Sequence, residues 1–331
     1  MQHMSYLQAI VIGFIQGIGE LFPISSLGHT VLIPSWFGGS WGALVRQESR
    51  PESPYLAFVV GLHLATALVL VGFYLREWGR IVSGLARTVV RRRITTDVER
   101  LAWLIVIATI PVGILGLAFE HQFRVLFAKP AAAALFLMAN GVILLAGELY
   151  RRRNSRLAEL AAVAAHQGVA VPVGTAATPP PDQRPRPRFR DERIVAMDGA
   201  AEHELAQVGR LSAGLIGASQ ALALFAGVSR EGVAMVGGLF RGLNNENAMR
   251  FSFLLSTPVI FAAGILKVPD LLGPLGADIR GQVVAGTLAA AVSSLLAIVF
   301  LSRYFKTRTL LPFAVYSLVF GLASVIRFGI F

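Results

Sequence analysis

The sequence predicts an all-α integral membrane protein: about six transmembrane helices plus two re-entrant helical hairpins in an inverted-topology repeat. Three observations predict it. Long apolar stretches dominate a chain of 331 residues that is 55% hydrophobic and only 15% charged, whereas a soluble domain carries about 25% charged residues. Two further apolar stretches are broken at their centres by polar and charged residues. Basic clusters follow the first, third and fifth unbroken stretches, the pattern of cytoplasmic loops under the positive-inside rule.

The first broken stretch runs from Tyr6 to Trp36 and holds Glu20, Pro23, Ser25, Ser26 and His29. Its start lacks a basic leader and a small-residue cleavage site, so it reads as a mature helix rather than a signal peptide. Ala57–Leu75, apolar apart from His63, is the first span. Leu101–Phe119 and Ala131–Gly147 are the next two. The second broken stretch, Leu211–Leu239, holds Ser229, Arg230 and Glu231. Phe251–Leu266, Gln282–Leu301 and Leu310–Ile326 complete the spans. Each is long enough, with its flanks, for about 30 Å of hydrocarbon. The halves of the broken stretches are too short to cross. Irregular backbone at that depth is tolerated only inside protein or along a cavity, hence the hairpins.

Arg76 to Arg100, Arg151 to Arg156 and Arg303 to Arg308 mark cytoplasmic loops. The first hairpin then begins and ends outside and the second inside. Each repeat, 1–153 and 208–331, is a hairpin plus three spans, and an odd number of spans inverts the second copy. A shift of 204 residues matches Gly13 with Gly217, Gln16 with Gln220, Ser25 with Ser229 and Gly28 with Gly232. Residues 154–207 form a cytoplasmic linker rich in Pro and Arg, with the composition of a disordered segment.

The net charge is +11 and cysteine is absent. The arginines sit at span ends and in the linker, which points to anionic lipid rather than nucleic acid. Thiolate metal sites and disulfides are excluded.

The chemistry-bearing residues lie at the hairpin tips. Gln16 and Glu20 stand four residues apart and share a helix face. Pro23 ends that helix, so Ser25 and Ser26 fall in the turn and His29 on the first turn of the returning helix. An ionisable residue at membrane depth is functional by default, and Glu20 is one. Arg230 cannot be neutralised and needs an anion, either an internal carboxylate or a bound phosphate. Gly227 and Gly232 let backbone approach a ligand. Glu231 reads as a ligand-contacting, solvent-facing or metal-holding carboxylate. His63 reads as a packing residue, with lining the site as its alternative, and Glu148 as interfacial. This inventory suits phosphoryl chemistry on an amphiphile. Arg230 neutralises charge, Ser26 or a water attacks, and His29 or Glu20 manages protons. A divalent ion on Glu20 supplies the remaining charge.

At these residues the chain resembles the bacterial undecaprenyl-diphosphate phosphatase family, the type associated with bacitracin resistance. Gln16, Glu20, Pro23, Ser25, Ser26, Gly28 and His29 match its first motif, and Gly227, Ser229 and Arg230 its second. Arg241-Gly-Leu and Phe251-Ser-Phe-Leu-Leu are also similar, and the resemblance covers nearly all of the chain outside the linker. Ala226, Glu231 and Ala234 depart from the second motif, where the family has Pro, Ser and Thr. The resemblance implies a bacterial inner-membrane enzyme with its site facing the periplasm, supported by magnesium or calcium. The enzyme would hydrolyse undecaprenyl diphosphate to the monophosphate and inorganic phosphate, recycling the carrier for cell-wall synthesis.

On this reading Ser26 is the nucleophile and His29 the acid/base, with His29 attacking as the alternative. Arg230 clamps phosphate and Glu20 holds the metal. Gln16, Ser25, Gly227, Ser229 and Glu231 contact substrate. The expected partners are membrane lipid and a polyprenyl diphosphate, with the homodimer left open beside the monomer. Two rival functions stay open. One is a transporter or flippase of polyprenyl phosphate, which the inverted repeat suits. The other is a homologue that binds polyprenyl phosphates without turnover.

Overall fold

The computed structural model describes residues 4–48, 54–127, 129–166 and 199–329. Among the described residues it is helical throughout, with thirteen α-helices and no strand. In chain order they are α1 (Tyr6–Leu21), α2 (Ser26–Phe37), α3 (Gly39–Glu48), α4 (Pro54–Phe73), α5 (Leu75–Arg91), α6 (Asp97–Phe127) and α7 (Pro130–His166). The second half holds α8 (Gly199–Ala206), α9 (Arg210–Ser219), α10 (Arg230–Phe240), α11 (Asn245–Leu272), α12 (Arg280–Tyr304) and α13 (Leu311–Gly329). Short 3-10 turns at Gln220–Leu224 and Pro274–Ile279 follow α9 and α11.

The chain is a multi-pass membrane protein. Among the described residues five helices are long and apolar enough to cross a bilayer: α6, α7, α11, α12 and α13. The bent pair α4 and α5 makes a sixth candidate. The bend between them is 86°, so α5 turns across the bundle where the sequence suggested only a basic loop. Its pattern explains this. Glu77, Ile81, Gly84 and Thr88 recur at helical spacing and are buried, while Arg76, Arg80, Arg87 and Arg91 occupy other positions of the helix. Helix α3 likewise occupies part of the expected external loop. The expected linker is helical at both ends, where α7 runs on to His166 and α8 begins at Gly199. Residues 167–198 lie outside the described residues.

The basic loops gather at one end of the bundle. Arg80 pairs with Glu202, His203 lies 2.9 Å from Asp97, and Asn245 donates to the Arg308 carbonyl at 2.9 Å. Nearby, Glu148 is buried rather than interfacial, and it accepts from Arg151 at 2.8 Å and Arg152 at 2.7 Å.

Both hairpins form for local reasons. Ser5 and Gln8 close a capping box at the start of α1. Phe22 is extended before Pro23 and ends the helix. Ser25 then adopts φ +70° and caps α2 through a 3.2 Å bond from the Gly28 N–H. Ser229, 204 residues on, caps α10 through a 3.1 Å bond from the Gly232 N–H. The first arms of the two hairpins also pack in corresponding ways. Helix α1 lies on α12 and α9 lies on α6. Glycine permits each approach: a Cβ at Gly13 would collide with the Gly286 carbonyl and one at Gly17 with the Ala290 carbonyl, while one at Gly217 would collide with the Ala108 carbonyl.

Candidate active site

The two hairpin tips meet at the centre of the molecule. Asn140 of α7, fully buried, ties them together. Its Nδ2 donates to the Pro23 carbonyl at 2.9 Å, and its Oδ1 accepts from the Ser229 N–H at 3.0 Å. Ser25 Oγ adds a second tie by accepting from the Gly227 N–H at 3.1 Å. Gly227 has φ +119° and packs against the backbone of α7, so only glycine fits there.

Glu20 is the hub. Ser26 Oγ donates to its Oε2 at 2.5 Å and Gln16 Nε2 donates to the same oxygen at 3.1 Å. His63 Nε2 lies 3.2 Å from Oε2. On the other side, Arg230 Nη1 approaches Oε1 at 3.4 Å. His63 also reaches the Val59 carbonyl through Nδ1 at 3.2 Å, so both ring nitrogens face acceptors and donate to both when the ring is protonated. At 3.4 Å the Arg230 guanidinium is only loosely engaged by Glu20, which leaves it able to turn to an anionic ligand.

A cavity of about 230 Å³ opens beside this cluster. One end is polar, with Glu20, Ser25, Ser26, His63, Ser229, Arg230 and Glu231 on its wall. Most of the remaining wall is apolar and comes from α4, α6, α11 and the 3-10 turn after α9, with Thr109 and Gln220 as its polar members. Leu117 and Leu266 on that wall are 74% and 59% exposed, so the apolar end reaches the lipid-facing surface. The N-termini of α2 and α10 are at the polar end, where free backbone N–H groups favour an anion.

Five buried polar side-chain atoms without a partner belong to four residues here: Gln16 Oε1, both amide atoms of Gln220, Arg230 Nε and Glu231 Oε1. Unpaired buried groups are rare in folded proteins; Gln220, Arg230 and Glu231 line the cavity, and their concentration there marks a place where a polar ligand completes the bonding.

The structure thus brings Gln16, Glu20, Ser25, Ser26, Ser229, Arg230 and Glu231 together. Gly227 supports the tip from behind. His63 joins them, against its reading as a packing residue. His29 does not. It is absent from the cavity wall and packs against the rings of Tyr316 and Phe320, at centroid distances of 5.6 and 5.5 Å. Its Nδ1 lies 2.7 Å from the Ser25 carbonyl and its Nε2 2.8 Å from Tyr316 Oη. A carbonyl can only accept, so Nδ1 carries the hydrogen and Nε2 accepts from the tyrosine. Asn140 and Gln220 were missed by the sequence reading. The available signals were a lone Asn inside an apolar span and the repeat match of Gln220 with Gln16.

Among the described residues no three His, Cys, Asp or Glu side chains converge on a metal position. The donor set nevertheless fits a hard cation that arrives with phosphate, since magnesium is commonly bound by one or two carboxylates plus substrate oxygens. Glu20 Oε1 and Glu231 Oε1 are the protein oxygens available for that.

The family model described as bacitracin resistance protein BacA matches residues 9–177 and 188–323. The chain is 52% identical to the undecaprenyl-diphosphatase 2 of Frankia alni over 342 residues, covering all of both proteins. It is 49% identical to the undecaprenyl-diphosphatase of Mycolicibacterium paratuberculosis, covering 98% of this chain and 97% of that one. A third relative, undecaprenyl-diphosphatase 2 of Chromobacterium violaceum, is 35% identical over 98% of this chain and 99% of its own length.

Proposed function

The chain belongs to the bacitracin resistance protein BacA family, and from that premise we infer that it hydrolyses undecaprenyl diphosphate to undecaprenyl phosphate and inorganic phosphate. It is a membrane-embedded hydrolase acting on a phosphoric anhydride. The observation that carries the chemistry is the Ser26 hydroxyl on Glu20 Oε2, at the polar end of a cavity faced by Arg230.

The geometry supports the following scheme. The diphosphate lies at the tips of the hairpins and the prenyl chain along the apolar wall. Arg230 takes phosphoryl oxygens and so loosens its long contact with Glu20. Glu20 accepts the Ser26 proton as Ser26 Oγ attacks the terminal phosphorus. The bridging P–O bond breaks, and polyprenyl monophosphate leaves with the bonding pair. Glu20 passes the serine proton to the departing monophosphate; water then attacks the phosphoserine and gives a proton to Glu20, which returns it to Ser26 Oγ as inorganic phosphate is released. His63 holds Glu20 in place and adds positive charge when protonated. Ser25 and Ser229 keep the two tips shaped through their caps. His29 maintains the Ser25 turn, which moves the acid/base role from it to Glu20.

Magnesium or calcium, held by Glu20 with Glu231, would neutralise charge on the phosphoryl oxygens. Glu20, Arg230 and Ser26 position the substrate and move its proton in either case.

The corresponding packing of α1 on α12 and of α9 on α6 supports an inverted repeat. Basic loops gathered at one end favour the cytoplasm for that face. Leu117 and Leu266, toward the far ends of α6 and α11, favour a lateral opening on the other side. We therefore assign the protein to the bacterial cell membrane with its site facing outward.

The test is phosphate release from undecaprenyl diphosphate by the purified protein in detergent, with and without magnesium or calcium. Glu20→Ala and Arg230→Ala serve as controls. Release that needs both residues supports the scheme. Folded protein that releases none with either metal is a binding homologue or a transporter instead.

A further inference from the structure

Gln220 is a buried polar residue for which the scheme above has no role. It opens the 3-10 turn after α9, is 1% exposed, and lies on the wall of the cavity. Neither Nε2 nor Oε1 has a partner. Burying an amide with both ends unpaired is unfavourable, so a ligand that completes it gains what the folded chain alone forgoes.

The repeat explains why this amide is free. Its counterpart Gln16 is held by Glu20, four residues along the same helix. Four residues beyond Gln220 stands Leu224, which offers no oxygen. The second copy of the hairpin therefore presents the same amide without the carboxylate that would occupy it. Arg230 Nε, another unpaired donor, belongs to the same cavity.

An amide shows donors and an acceptor side by side. The partner that satisfies it presents an acceptor and a donor together. A phosphoryl oxygen with a water hydrogen-bonded to the same phosphate is such a partner. We propose that Gln220 is a substrate-contacting residue: its Nε2 donates to a phosphoryl oxygen of the diphosphate, and its Oε1 holds a water against that group. This assignment rests on the phosphatase reading.

The experiment uses full-length protein carrying Gln220→Leu or Gln220→Met, both close in volume to glutamine. Two quantities are read: KM and kcat on undecaprenyl diphosphate, and the melting shift produced by inorganic pyrophosphate. The expected result is a KM raised about tenfold, the loss of one hydrogen bond to a charged group. The kcat should stay within about threefold, and the pyrophosphate shift should shrink in both variants. Wild-type KM and an undiminished shift in a folded variant overturn the proposal. If Gln220→Leu does not fold, Gln220→Met decides. Wild-type protein that releases no phosphate sinks the phosphatase reading. The pyrophosphate shift still judges Gln220 in that event: loss in the variants supports the contact, and equal or absent shifts overturn it.

Discussion

Ser26 donates its hydroxyl hydrogen to Glu20 Oε2 at 2.5 Å across the break between α1 and α2. The two side chains meet because α1 ends at Leu21 ahead of Pro23 and the chain folds straight back into α2. Removing either partner removes the nucleophile or its base. Ser26→Ala and Glu20→Gln should each lower kcat by at least about a thousandfold. Steady-state phosphate release on variants that melt like wild type checks this, and near-normal turnover by Ser26→Ala would hand the attack to water.

His29 is expected to behave differently. Its bonds run to the Ser25 carbonyl and Tyr316 Oη, and the His29 ring is not on the cavity wall. His29→Phe should lower stability by about 1–3 kcal/mol by leaving those groups unpaired, with a loss of turnover far smaller than that of Ser26→Ala. Tyr316→Phe should cause a milder form of the same defect. A His29→Phe protein with wild-type melting and no turnover would restore His29 to the chemistry.

Arg230→Lys keeps the charge but loses the planar fork that grips two phosphoryl oxygens. The expected outcome is a KM higher by about 10- to 100-fold. Michaelis constants compared across wild type, Arg230→Lys and Arg230→Ala would show it, with alanine worse than lysine.

Gly116 offers a handle on the lipid tail. It lines the apolar wall, and a Cβ there would meet no atom within 4 Å. Gly116→Phe should fill the space a long prenyl chain occupies. KM for the undecaprenyl substrate should rise by more than KM for a farnesyl diphosphate, measured side by side. An equal change for both would mean that the chain does not pass this wall.

Asn140→Leu tests the tie between the hairpins. It strands the Pro23 carbonyl and the Ser229 N–H, two buried groups, at a cost of about 2–5 kcal/mol. Asn140→Asp keeps the acceptor for Ser229 and should destabilise less. Thermal unfolding in detergent would rank the two.

The sequence revealed the spans because uncharged runs of bilayer length have few other uses. It revealed Gln16, Glu20 and Arg230 because charge and amide groups at membrane depth demand partners, and because Pro23 fixes where the first hairpin turns. The direction of His29 was not legible. It depends on the positive φ of Ser25, which no residue spacing encodes for a serine. His63 was discounted because a single histidine in an apolar span looks the same whether it packs or faces a site. Asn140 escaped for the same reason, since its partners come from two hairpins distant in the chain. Helices α3 and α5 were hidden by their own charges, which read as loops until their buried faces are placed against the bundle.

The apolar wall reaches the lipid-facing surface at Leu117 and Leu266. A substrate that enters there arrives by diffusing in two dimensions, and the monophosphate carrier departs the same way, while only inorganic phosphate needs water. Turnover would then follow the mole fraction of substrate among the surrounding lipids or detergent rather than its concentration in the tube. Diluting the micelles with empty detergent at constant total substrate would slow such an enzyme.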